Sequence, residues 1–112
     1  MDTEGIEHRY ENDVLVIGFH KEELKLQDAE RIIEIVFDVE ESWDIDQVVL
    51  DMTDVTYTNS TVISAVGRIA DAKDMRVVNM HPKVQAIMDT MGLLPFLEQS
   101  PSVEAALKSF EE

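Results

Sequence analysis

Gln47-Val48-Val49-Leu50-Asp51-Met52 has an apolar centre with no residue suited to a wet face, and runs of that kind suit strands covered on both sides of a sheet. Arg76-Val77-Val78-Asn79-Met80 repeats the pattern around Val77 and Val78. Between them, from about Ser60 to Lys73, Val62, Ile63, Val66, Ile69 and Ala70 recur at helical spacing and make one apolar side. Two buried strands separated by one helix predict a parallel pair joined by a right-handed crossover.

Working outward, Ile6 to Tyr10 and Val14 to Phe19 flank the polar turn Glu11-Asn12-Asp13, which predicts an N-terminal antiparallel hairpin. From Gln27 to about Glu41, Ala29, Ile32, Ile33, Val36 and Phe37 mark the inner face of a surface helix. His81-Pro82 reads as an N-cap followed by proline at the first helical position, and Val84, Ile87, Met88 and Met91 keep helical spacing until Gly92 ends the helix. Phe96-Leu97 reads as a short extended piece, and Ser100-Pro101 as the opening of a last helix with Val103, Ala106, Leu107 and Phe110 inward. The expected fold is α/β, a mixed four- to five-stranded sheet with an N-terminal β-hairpin, covered by about four helices.

The chain has 112 residues, enough for one domain spanning 1–112 and its own core. Twenty-four acidic against nine basic residues give a formal charge of −15, which repels phosphate backbones and anionic bilayers and so argues against nucleic-acid and membrane partners. The absence of Cys excludes disulfides, thiolate catalysis and Cys-based zinc sites and fits a reducing, cytoplasmic setting. No apolar run in the sequence is long enough to span a bilayer.

The individual histidines His8, His20 and His81 lack the paired spacing of a metal-binding helix, so no metal is expected. Gly5, Gly18, Gly67 and Gly92 are scattered and form no phosphate-cradling turn, so no nucleotide or other cofactor is expected. Met88 and Met91 belong to a helix face expected to be buried, so they read as core filling. Carboxylates around Asp51 and Asp54 leave open a small enzyme or ligand-binding protein, which would need a pocket at that strand end. Thr58-Asn59-Ser60-Thr61 concentrates small polar side chains at a helix start. One reason is capping, by Asn59 or Ser60, of the free N–H groups of the first turn. The other is regulation, because a phosphate on a serine at a helix N-terminus gains from the dipole and can block a partner while leaving the fold intact.

Val48-Val49-Leu50-Asp51 with Val55-Thr56-Tyr57-Thr58-Asn59-Ser60-Thr61 resembles the signature of STAS domains, the bacterial anti-sigma factor antagonists. Arg76-Val77-Val78-Asn79, His81-Pro82-Lys83-Val84, Met91-Gly92-Leu93 and Ser102 to Leu107 are similar to the family's later elements. The resemblance implies a non-catalytic regulator of transcription that binds an anti-sigma factor which is also a serine kinase of the histidine-kinase-like ATPase type. It implies a monomer or weak dimer, with Ser60 the phosphoacceptor and Thr61 the alternative. Thr56, Tyr57, Thr58, Asn59, Ser60, Thr61, Ser64 and Gly67 become the docking surface. Three features depart from the family's pattern. Asn59 replaces an aspartate and removes a charge beside the acceptor. Val62 replaces a glycine, a branched side chain expected to hinder close approach, and Phe19-His20-Lys21-Glu22 lacks the usual glycine turn. The alternative reading is a STAS-like scaffold or regulatory subunit that is not phosphorylated.

Overall fold

The computed structural model describes residues 5–111. Strands β1 (Ile6–Glu11) and β2 (Val14–Phe19) form the expected hairpin, closed by Asn12 and Asp13 at φ 52° and 64°. Positive φ at both central residues is the primed turn that matches the twist of paired strands, and Asn and Asp tolerate it.

Three further strands extend the sheet: β3 (Gln47–Asp51), β4 (Asp74–Val78) and β5 (Glu98–Ser100). Their spatial order is β1-β2-β3-β4-β5, antiparallel at the hairpin and parallel thereafter. Helices α1 (Leu26–Ile33), α2 (Ser60–Ala72), α3 (Pro82–Thr90) and α4 (Val103–Ser109) complete the chain. Among the described residues, the five strands and four α-helices match the expected α/β architecture.

Alternation along the strands divides the core into two layers. Leu15, Ile17, Val48, Leu50 and Val77 face α1, α2 and α3, meeting Ile32, Ile69 and Met88. Val14, Val16, Val49 and Val78 face the other way and are covered by α4 through Ala106, Val103, Leu107 and Phe110. Burying an aliphatic side chain stabilises by about 1.5–3 kcal/mol, so the continuous Val-Val-Leu run is what makes β3 central. Arg76 ties this second layer to the sheet's far edge. Its guanidinium contacts Asp74 and Glu98, each at 2.6 Å, and lies 4.3 Å from the centre of the Phe110 ring.

Several boundaries depart from the sequence expectations. The first helix loses α-geometry after Ile33: Glu34–Asp38 widens into a π turn, with the Val39 N–H donating to the Glu34 carbonyl at 3.0 Å, and Glu40–Ser42 tightens to a 3-10 turn. Strand β4 stops at Val78 because Asn79 takes φ 59°. Phe96-Leu97 is not a strand. Leu94–Phe96 is a 3-10 turn, and the edge strand follows it. Ser100 belongs to that strand, and the cap of α4 is Ser102, whose hydroxyl accepts from Ala105 N–H at 3.0 Å. His81 does cap α3, with Nδ1 accepting from Lys83 N–H at 3.1 Å. At the other end Gly92, φ 74°, donates to the Asp89 carbonyl while Leu93 N–H reaches back to that of Met88. That paired return is a Schellman ending, and it turns Met91 outward, 42% exposed, rather than into the core.

Candidate functional site at the start of the second crossover helix

The segment between β3 and α2 leaves the carboxyl end of a buried strand and turns through Thr53 and Asp54. It is then knitted to the loop that follows β2. Thr56 N–H and Tyr57 N–H both donate to the Glu22 carbonyl, at 2.8 and 3.1 Å, and Leu24 N–H donates to the Tyr57 carbonyl at 3.1 Å. Buried Leu24 and Val55 anchor both loops from below. Two loops with no glycine thus become one surface with a fixed backbone.

The loop after β2 is held without the family's glycine turn. The Lys21 ammonium reaches the carboxylate of the fully buried Asp28 at 2.9 Å, and the same carboxylate accepts from Lys25 N–H at 2.7 Å. His20 N–H donates to the Gly5 carbonyl at 2.6 Å.

At the start of α2 the division of labour is clear. Asn59 is the N-cap, its Oδ1 accepting from Val62 N–H at 3.0 Å, and its carbonyl accepts from Ile63 N–H at 3.0 Å. Ser60 is therefore the first helical residue and not the cap. It is exposed, and among the described residues its hydroxyl has no hydrogen-bond partner. Thr61 is exposed beside it. The first turn of α2 carries no acidic side chain, so the positive end of this helix dipole is not offset from within the helix.

The other residues expected on the docking surface divide. Tyr57 is 54% exposed, Ser64 is exposed and Thr56 is half-buried, so these share the outer surface with Ser60 and Thr61. Thr58 does not: it is 1% exposed and lies beneath the surface, with Oγ1 lacking a hydrogen-bond partner. Gly67 is half-buried, and a side chain built there would meet Leu93 at 3.4 Å, so it lets the segment after α3 pack closely against α2. Val62 is fully buried, so its branched side chain fills the core and does not stand between this helix and a partner.

Beside Ser64 and Thr61, a groove of about 420 Å³ runs between α1 and α2, lined by Leu26, Ala29, Ile33 and Arg68 among others. Leu26 is 54% exposed along it. The sequence expectations missed this groove, although the exposed Leu26 just before the amphipathic pattern of α1 was its one legible sign. Asp51 is half-buried, with Oδ1 accepting from Thr53 N–H at 3.1 Å, and Asp54 is exposed. Among the described residues, no group of three His, Asp or Glu side chains is placed to hold a metal ion, and no helix is long and apolar enough to cross a membrane.

Fold and site together define an α/β domain that presents one helix start and two knitted loops on a common surface. The STAS domain family model matches residues 6–106, and the chain belongs to that family. Among solved structures, it is similar to a candidate anti-sigma factor antagonist from Thermotoga maritima. That match has a TM-score of 0.83 and 17% identity over 96% of this chain and 95% of the other. It is also similar to the anti-sigma factor antagonist SpoIIAA in its unphosphorylated form, with a TM-score of 0.76 and 17% identity over 96% and 97%. The phosphorylated form of SpoIIAA, the Bacillus cell fate determinant, gives a TM-score of 0.70 and 15% identity over 93% and 98%. At these identities the likeness is one of fold. A comparison with curated proteins finds no match.

Proposed function

We propose that this chain is a non-catalytic signalling domain of the anti-sigma factor antagonist type, whose partner docks on Tyr57, Ser60, Thr61, Ser64 and the edge of Thr56, and that Ser60 is its phosphoacceptor. The partner in this reading is a cytoplasmic anti-sigma factor that is also a serine kinase of the histidine-kinase-like ATPase type. It transfers the terminal phosphoryl group of ATP to Ser60 Oγ, releasing ADP and the hydroxyl proton.

The observation that carries the reading is the separation of cap from acceptor. Asn59 satisfies the helix start, so the exposed Ser60 hydroxyl is not needed for the fold. A phosphate there would sit at the positive end of α2 with no carboxylate in the first turn to repel it. It would also add nearly two negative charges to the surface on which a partner must close. Incubation of the purified chain with its cognate kinase and ATP should add the mass of one phosphoryl group, and Ser60→Ala should abolish the addition. Phosphate that survives Ser60→Ala and disappears in Thr61→Ala would move the acceptor by one residue. No addition to the wild type would remove the switch.

One feature favours a second reading, a docking scaffold that is not phosphorylated: Asn59 gives the acceptor a neutral neighbour where the resemblance leads one to expect an aspartate. Under that reading Ser60→Asp and wild type retain the partner equally in affinity capture. Under the first reading the aspartate weakens retention.

A further inference from the structure

The two outer edges of the sheet are built differently. Strand β5 is short and polar, with Pro101 directly after it, and such an edge discourages pairing with another chain. Strand β1 is twice as long and has no proline, glycine or lysine along it. Its neighbour in the sheet is β2 alone, so among the described residues its other side is an open edge.

Register decides which backbone groups lie on that edge. His20 N–H donates to the Gly5 carbonyl at 2.6 Å, so Gly5 and, by alternation, Glu7, Arg9 and Glu11 turn their backbone groups toward β2. Ile6, His8 and Tyr10 turn theirs outward, and among the described residues no other backbone group is bonded to them there. The side chains of Glu7, Arg9 and Glu11 share one face and alternate in sign, with Glu7 and Arg9 exposed. Arg9 engages Glu11 through Nε, and Glu7 contacts His20 through Oε2 at 3.2 Å. A guanidinium has five N–H donors and a carboxylate two acceptor oxygens, so both keep capacity for another partner.

A second copy of this edge meets both demands in one register. Twofold symmetry makes the contact self-complementary and the paired strands antiparallel, and outward residues must then oppose outward residues. An axis at Glu7 opposes Glu7 to itself, and an axis at Arg9 opposes Arg9 to itself and Glu7 to Glu11. An axis at Tyr10 opposes Arg9 to Glu11 but shortens the overlap to Arg9–Glu11. An axis at His8 opposes Glu7 of each copy to Arg9 of the other, in the closely spaced type of pair. It also sets Ile6 opposite Tyr10, and the outer edges of the combined sheet would be two copies of β5, which stops further growth.

We propose that two copies of this chain pair through the outer edges of β1, antiparallel about His8, with Glu7 of each opposite Arg9 of the other. The contact uses no residue of the Ser60 surface. Sedimentation of the full chain at physiological salt, which screens the charge of −15 on each copy, should show a concentration-dependent dimer below about 1 mM. Hydrogen exchange at the Ile6, His8 and Tyr10 amides should slow as the dimer forms. Glu7→Arg and Arg9→Glu each turn two attractive cross-strand pairs into repulsive ones and should weaken pairing at least about tenfold. Mixing the two variants, or combining both substitutions in one chain, restores opposite charges in this register and should restore the dimer, a gain that misfolding could not produce. A wild type that stays monomeric, single variants that pair as well as the wild type, or a mixture and a combined variant that pair no better than the single variants would overturn the proposal. Slow exchange at those three amides in a chain that remains monomeric would assign the edge to another occupant and overturn it too.

Discussion

The first two crossover helices begin in opposite ways. At the start of α1 a carboxylate from within the helix, Asp28, accepts from the N-cap N–H and from Lys21, and is wholly buried. At the start of α2 the cap is the neutral Asn59, the first turn holds no acid, and Ser60 and Thr61 face solvent. Both helices carry the same kind of positive N-terminal end. One end is neutralised inside the protein and serves the fold. The other is capped well enough to form a helix while its dipole remains available, and the proposed function uses that open end.

The largest effect should come from breaking the closed end. Asp28→Ala removes the helix-start acceptor together with the buried carboxylate that the Lys21 ammonium contacts, and should lower stability by about 3 kcal/mol. Urea denaturation measures this. A loss below about 1 kcal/mol would mean that the ion pair does not hold the loop after β2.

A change beneath the open end should act in the opposite direction. Thr58 buries a hydroxyl with no hydrogen-bond partner, and an unsatisfied buried polar group costs about 1–3 kcal/mol. Thr58→Val keeps the shape and removes the group, so it should raise stability by about 1 kcal/mol. A loss of stability would reveal that the hydroxyl is satisfied by solvent.

How much of this contrast the sequence reveals depends on the range of the interactions. The hairpin, β3 and α2 are legible because each rests on local periodicity: apolar residues run through Val48, Val49 and Leu50 and recur from Val62 to Ile69. Strand β5 is not, because Glu98-Gln99-Ser100 is a polar edge whose strand character comes from pairing with β4. The π turn after Ile33 is equally hidden, since the apolar pattern from Ala29 to Phe37 continues through it. At the site, the sequence marks Thr58 to Thr61 as polar and clustered but does not distinguish Asn59 from Ser60 as the cap. It assigns Thr58 and Gly67 to a surface because their burial depends on Leu93 and the core beneath. The open edge of β1 needs the strand order and register, which no local pattern supplies.

The two helix starts can also be made more alike. Asn59→Ala removes the acceptor for Val62 N–H and should lower stability by about 1 kcal/mol, whereas Asn59→Asp keeps the acceptor, adds a charge at the dipole and should stabilise by about 0.5 kcal/mol at low salt. Thermal melts of both variants at two salt concentrations check this, because only the aspartate's gain is electrostatic and should shrink with salt. Equal melting of both variants would mean that the cap at Asn59 contributes little.

The smallest expected effect on stability is the one that matters most for function. Ser60 is outside the cap and exposed, and its hydroxyl is bonded to no described residue, so Ser60→Ala should change stability by less than about 0.5 kcal/mol, as is usual for surface positions. The same substitution should eliminate phosphoryl uptake from the kinase. Reading both on one preparation, by denaturation and by intact mass, separates a regulatory hydroxyl from a structural one. A stability loss near that of Asn59→Ala would make Ser60 part of the helix start after all, and the open end of α2 would then differ from the closed end of α1 only in which side chain fills it.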